Sequence, residues 1–139
     1  MKSEKLHSIL KKPLSEREEV IAGYIFGSFL QCEIYEDIDI GILLIESFKP
    51  HHLYEIKIQK EIEEEIKKKF NEYVQIHITI LNHQDLRFLY SILGNSRLIF
   101  CRDNIKRAKF ESKIITRYLD LKPLYEYYDK MRKLRYANR

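Results

Sequence analysis

Two aspartates, Asp37 and Asp39, flank Ile38 at the entrance to an apolar run that continues from Ile40 to Ile45. Upstream, a second apolar run, Val20 to Phe26, leads into Gly27-Ser28. On a strand, residues i and i+2 face the same side of the sheet, so the two carboxylates point together. A Gly-Ser turn at the end of a neighbouring strand can offer backbone N–H groups to a phosphate. Paired carboxylates beside such a turn suit a metal-bound nucleoside triphosphate. Neither feature says much alone, since Gly-Ser is common and Asp-x-Asp usually marks a turn or a solvated edge. The combination is more specific. Like charges at the head of an apolar strand repel one another, and ordinary folding gains nothing from them.

The elements that must position these residues follow from periodicity. Residues 20–26 and 38–45 read as strands, with a short helical turn from Ser28 to about Ile34 between them. A first helix is expected over residues 4–11, ended by Pro13, followed by a polar connector from Lys11 to Glu19. Pro50 opens a long helix whose Ile58, Ile62, Ile66 and Phe70 form one buried face. Glu63, Glu64 and Glu65 each precede a lysine by four residues, which marks a solvated helix surface. Residues 73–81 alternate as a third strand. Val74, Ile76, Ile78 and Ile80 lie on one face, and Gln75, His77 and Thr79 on the other. A helix from Gln84 to Leu93, stopped by Gly94-Asn95, precedes a fourth strand over 97–102. Residues 104–136 read as helix, interrupted near Pro123. The expectation is an α+β (α/β layer) fold: a small mixed sheet of about four strands with helices packed on one side, as a single domain over 1–139 whose residues 104–139 form a C-terminal helical segment.

Composition narrows the class. Hydrophobic residues make up 45% and charged residues 33% of the 139, which argues for a folded chain rather than a disordered one. No apolar run approaches the roughly 20 residues of a transmembrane helix, and no signal core follows Met1. A cytoplasmic location is expected. Cys32 and Cys101 have no zinc-ligand spacing and read as buried thiols. The net charge of +4 permits an acidic partner without requiring nucleic acid. His51 and His52 open the long helix, and His83 lies in a turn; all three read as surface residues.

Gly27-Ser28 followed by Asp37-Ile38-Asp39 resembles the signature of the DNA polymerase β-type nucleotidyltransferases. The short length and element order resemble the minimal nucleotidyltransferase (MNT) group, through Ile80-Leu81-Asn82, Leu98-Ile99-Phe100 and the C-terminal helix. The resemblance implies an ATP-dependent transferase. Gly27 and Ser28 would hold the triphosphate, and Asp37 and Asp39 would be catalytic and hold Mg²⁺ or Mn²⁺. The reaction implied is attack on the α-phosphorus, transferring AMP and releasing pyrophosphate.

The sequence departs from that pattern in three places. The turn continues Phe29-Leu30-Gln31-Cys32, with Gln31 where the family has Arg and Cys32 where it has Gly. Glu36 stands where Ser often precedes the first Asp. The family's third carboxylate position falls on His77. Histidine can serve as a general base near neutral pH, but it is a poor ligand for Mg²⁺ and suits Mn²⁺ or Zn²⁺ better. Altered metal preference, reduced activity and a nucleotide-binding but inactive site all remain open on this reading.

MNT proteins of the resembling systems pair with HEPN-domain toxins and silence them by adding AMP to a tyrosine. The implied partner is therefore a HEPN toxin, and the chain its antitoxin, acting by transfer or, with a degenerate site, by binding alone. Nucleic acid is not expected as the direct substrate, because there is no room for a separate RNA-binding domain. Homo- or hetero-oligomers are compatible with the sequence. Tyr118, Tyr125, Tyr127, Tyr128 and Tyr136 crowd the C-terminal helix and suit a contact surface. Tyr118, Leu121, Tyr125 and Tyr128 alternatively form a stripe packing on the sheet. The basic tail from Lys130 to Arg139 suits an acidic partner, RNA or solvent.

Overall fold

The computed structural model describes residues 3–27 and 37–137. Eight elements follow one another: α1 (Ser3–Ser15), β1 (Val20–Phe26), β2 (Asp37–Leu44), α2 (Tyr54–Phe70), β3 (Gln75–Ile80), α3 (Leu86–Gly94), β4 (Ser96–Cys101) and α4 (Asn104–Ala137). The strands form one sheet in the order β3-β2-β1-β4. β1 is antiparallel to both β2 and β4, while β2 and β3 run parallel, joined through α2. A parallel pair needs such a crossover, because a tight turn cannot return the chain to the same end.

The expected mixed four-stranded sheet is present, and the strands fall where alternation puts them. Ile38, Ile40, Ile42 and Leu44 of β2 and Ile76 and Ile78 of β3 face a core shared with α1 and α2, where Leu10, Leu14, Ile58, Ile62 and Ile66 are fully buried. This is the expected helical layer. α3 and α4 add a partial second layer on the opposite face, where Ile21, Leu43, Leu89, Ile92 and Ile114 pack. That second layer leaves the Asp37 end of β2 uncovered, with Asp37 exposed and Asp39 half-buried.

Both helix-ending prolines behave otherwise than expected. α1 runs through Pro13 to Ser15, and α4 continues through Pro123 without interruption. A proline removes one backbone donor and crowds the preceding turn. At Pro13 the loss falls in the last turn, where Pro13 and Leu14 are buried. At Pro123 it falls in a long helix with bonded turns on both sides. α2 begins later than Pro50: His51 accepts the Leu53 N–H on Nδ1 and the Tyr54 N–H on its carbonyl, so 50–53 form its entry turn. It ends at Asn71, whose left-handed φ of 53° closes the helix on Lys67 O. The Glu–Lys pairs expected along α2 do not form ion pairs among the described residues. Glu63 instead accepts the Ile76 N–H and Gln59 the Ile78 N–H, so α2 closes the open edge of β3.

Candidate functional site

β2 begins at Asp37, and its register fixes what surrounds the two aspartates. Asp39 pairs with Phe26 of β1 on one side and with His77 of β3 on the other. Asp37 pairs with Gln75. Because side chains alternate across the sheet, Asp37, Asp39 and His77 share the face that α1 and α2 leave free. His77 Nε2 stands 3.9 Å from Asp37 Oδ1, with side chains 48% and 56% exposed. That distance and exposure leave both groups open to a ligand.

Gly27 closes the third side. Its φ of +85° lies in the left-handed region, where a Cβ is strained, and a Cβ there would strike the Asp39 carboxylate. The chain thus turns off β1 directly over Asp39, and only glycine fits. Four of the five residues singled out by sequence, Gly27, Asp37, Asp39 and His77, converge at one end of the β1–β2–β3 trio. Ser28, Gln31, Cys32, Glu36 and the turn expected from Ser28 to Ile34 lie outside the described residues.

The donor chemistry suits a hard divalent cation. Two carboxylates on one strand can bind Mg²⁺ when a substrate's phosphates supply further oxygens. Among the described residues no set of three or more His, Cys, Asp or Glu side chains is arranged to hold a metal alone. A two-carboxylate site completed by substrate is consistent with both facts.

Sequence reading missed several supports. Asn82 accepts the Leu44 N–H on Oδ1 (2.9 Å) and donates from Nδ2 to Leu44 O (2.6 Å), extending the β2–β3 pairing beyond β3. Leu81 N–H adds a bond to Ile42 O. Asparagine at a strand exit is the signal that was available. On β1, Tyr24 donates to Glu111 of α4 (2.6 Å), and Arg107 clasps the same carboxylate at 3.2 Å. Burial and the Glu111 bond push the Tyr24 phenol far above its ordinary value. The phenol therefore stays protonated and ties α4 to the central strand.

The tyrosines of α4 do not pack on the sheet as one stripe. Tyr118 stacks on Tyr90 of α3, ring centres 3.7 Å apart, and Tyr125 lies beneath the Arg87 guanidinium at 4.7 Å. Arg87 also pairs with Asp129 at 2.9 Å, holding that carboxyl below its ordinary range. Leu121 and Tyr128 are exposed. Cys101, expected to be buried, is half-exposed.

A mixed four-stranded sheet in the order β3-β2-β1-β4, with an Asp-x-Asp pair opening its second strand, defines a nucleotidyltransferase fold. The chain belongs to the polymerase beta nucleotidyltransferase family, whose model matches residues 5–105. No curated protein sequence matches it. Solved structures share the fold at low identity. A toxin–antitoxin complex with AMP-PNP aligns over 89% of this chain and 95% of its own, with 14% identity and a TM-score of 0.68. A tri-AMPylated Shewanella oneidensis HEPN toxin in complex with MNT antitoxin aligns over 91% and 95%, with 14% identity and a TM-score of 0.69. The MntA–HepT toxin–antitoxin aligns over 92% and 97%, with 12% identity and a TM-score of 0.68.

Proposed function

We propose that the chain is a metal-dependent nucleotidyltransferase that moves AMP from ATP onto a tyrosine of a HEPN-type toxin and so acts as its antitoxin. The observation that carries this reading is the convergence of Gly27, Asp37, Asp39 and His77 at one open end of the sheet. The similar structures, one with AMP-PNP and one with an AMPylated HEPN toxin, support the choice of ATP and of partner. A single domain over 1–139, with the segment after 104 as a helical appendage, fits a small transferase whose acceptor is a separate protein. An ATP-consuming antitoxin belongs in the cytoplasm, and no helix among the described residues is long and apolar enough to cross a membrane.

In this reading Asp37 and Asp39 would hold Mg²⁺ or Mn²⁺, which would supply neutralisation of the phosphate charge. Gly27 and Ser28 would supply backbone N–H groups to the triphosphate, and the left-handed turn at Gly27 keeps the backbone there close to Asp39. The tyrosine oxygen forms a bond to the α-phosphorus, the bond from that phosphorus to the bridging oxygen breaks, and pyrophosphate leaves. His77 would take the phenolic proton, a role supported by its register with Asp39 and its 3.9 Å distance from Asp37. The exposed α4 residues Leu119, Leu124 and Tyr127, 52%, 47% and 55% accessible, give the partner an apolar surface.

One observation favours a second reading, neutralisation by binding alone. Among the described residues no set of three or more His, Cys, Asp or Glu side chains is arranged to hold a metal, and the family resemblance implies a third acid where His77 stands. Incubation with labelled ATP, a cognate HEPN toxin and either Mg²⁺ or Mn²⁺ separates the two. Transfer labels the toxin, and Asp37→Ala or Asp39→Ala lowers labelling at least about 100-fold, near 2.7 kcal/mol of barrier. A stable complex with no label under either metal removes the transferase reading and leaves the binding one.

A further inference from the structure

The first half of α4 carries charge that the Asp37–Asp39 site does not use. From Asn104 to Leu119 its one carboxylate is Glu111, which turns inward to Tyr24 and Arg107. Lys106, Lys109, Lys113 and Arg117 follow at i, i+3, i+7 and i+11, the spacing of a single helix face. At 1.5 Å per residue the row is roughly 16 Å long. All four are exposed, and none forms an ion pair among the described residues.

A hollow of about 790 Å³ adjoins this row, lined on that side by Lys106, Lys109, Lys113 and Arg117. Its floor is apolar and includes Leu43, Leu89, Phe110 and Ile114, and Glu46 is the one carboxylate in its lining. It opens beside Leu44, at the far end of β2 from Asp37. At about 3.3 Å per residue those ends are roughly 23 Å apart, so this is not the triphosphate site.

A row of unpaired cations beside an apolar hollow complements a single strand of nucleic acid, which has regular phosphates and flat bases free to leave the stack. Inorganic polyphosphate would satisfy the cations and leave the hollow empty. An acidic peptide would satisfy them without the regular phosphate spacing that matches a row of evenly placed cations. We propose that the Lys106–Arg117 face of α4 binds a single-stranded oligonucleotide, phosphates along the cation row and a base in the adjoining hollow, as a ligand and not as the acceptor of AMP. The proposal does not depend on the transfer reading, because none of its residues belongs to the Asp37–Asp39 site.

Fluorescence anisotropy on the full chain tests it, with labelled oligouridylate and oligodeoxythymidylate of about 12 nucleotides, within the usual range for such grooves. Four phosphate contacts predict an affinity loss of roughly 50-fold between about 50 and about 200 mM salt. Lys109→Ala with Lys113→Ala, both solvent-exposed, should keep the fold by circular dichroism, weaken binding at least about 10-fold and lower the log–log salt slope by about 1.4. Lys130→Ala with Arg132→Ala and Lys133→Ala should leave binding intact, as should Asp37→Ala. Binding of either strand supports the proposal, and tighter binding of the ribose strand assigns part of the affinity to the 2′-hydroxyl. Failure of both strands to saturate, equal displacement by tripolyphosphate or polyglutamate at matched charge, or loss caused by the tail variant in place of the Lys109 and Lys113 variant would overturn it.

Discussion

In the proposed transfer, His77 is the residue assigned to take the proton. The family resemblance implies a carboxylate at its place, and it stands in register with Asp39 and 3.9 Å from Asp37. If it takes the proton from the acceptor hydroxyl, His77→Ala should lower transfer by about 10²–10⁴-fold, the usual contribution of a positioned base. His77→Asp should restore labelling with Mg²⁺, because a carboxylate is the harder ligand. Labelling unchanged in His77→Ala would remove the base from the mechanism. These residues were legible in sequence because their signals are local. Asp37 and Asp39 sit at i and i+2 at a strand head, and the alternation of 73–81 put His77 on the polar face. What could not be read was that Gly27 lies against Asp39, since that contact depends on the register between β1 and β2.

Elements carry the stability that holds the sheet to its helices. Tyr24 of β1 and Tyr54 of α2 are both buried, and each donates to a carboxylate, Glu111 and Glu19. Burial first, then those bonds, push both phenols above their ordinary value of 10.0. A folded-state value above the unfolded one means the stabilisation is complete below pH 10 and is lost as pH rises toward the folded values. Each group then contributes a slope of up to about 1.4 kcal/mol per pH unit above that point. Urea unfolding at about pH 9 and about pH 11 should show the drop, and Tyr24→Phe should flatten it. At neutral pH the same variant should cost about 1 kcal/mol through the lost bond. An unchanged alkaline slope in Tyr24→Phe would show that its phenol is not the group titrating. Element boundaries were less legible than strand identity. Pro13 and Pro123 signal helix ends locally, but bonded turns on either side and burial of the segment around Pro13 carry the helices through. The bonds from Glu63 and Gln59 to the β3 edge are tertiary and leave no periodic trace in α2.

At the scale of the whole molecule, α4 is out of proportion to the sheet that it accompanies. Its 34 residues extend roughly 51 Å at 1.5 Å per residue, and Ile114 is its one buried side chain. Tyr118 and Tyr125 attach it to α3, which explains why the expected tyrosine stripe divides. Beyond that attachment, Leu121, Leu124, Tyr128 and Met131 recur at intervals of three and four on an exposed face. Lys130, Arg132, Lys133 and Arg135 flank the stripe. A solvated helix gains nothing from an apolar stripe of this length, whereas a partner with an apolar groove and acidic rim would bury it. If the HEPN toxin is that partner, Leu124→Glu with Met131→Glu should leave unfolding within about 0.5 kcal/mol of the parent, because both side chains are already exposed. The toxin's Kd, measured by calorimetry, should rise at least about 30-fold, near 2 kcal/mol, as expected when central apolar anchors are lost. On the proposed transfer, labelling of the toxin should fall with occupancy of the complex, while any ATP binding measured for the parent chain should be unchanged. An unchanged Kd in that double variant would move the partner off α4 and onto the face around Asp37.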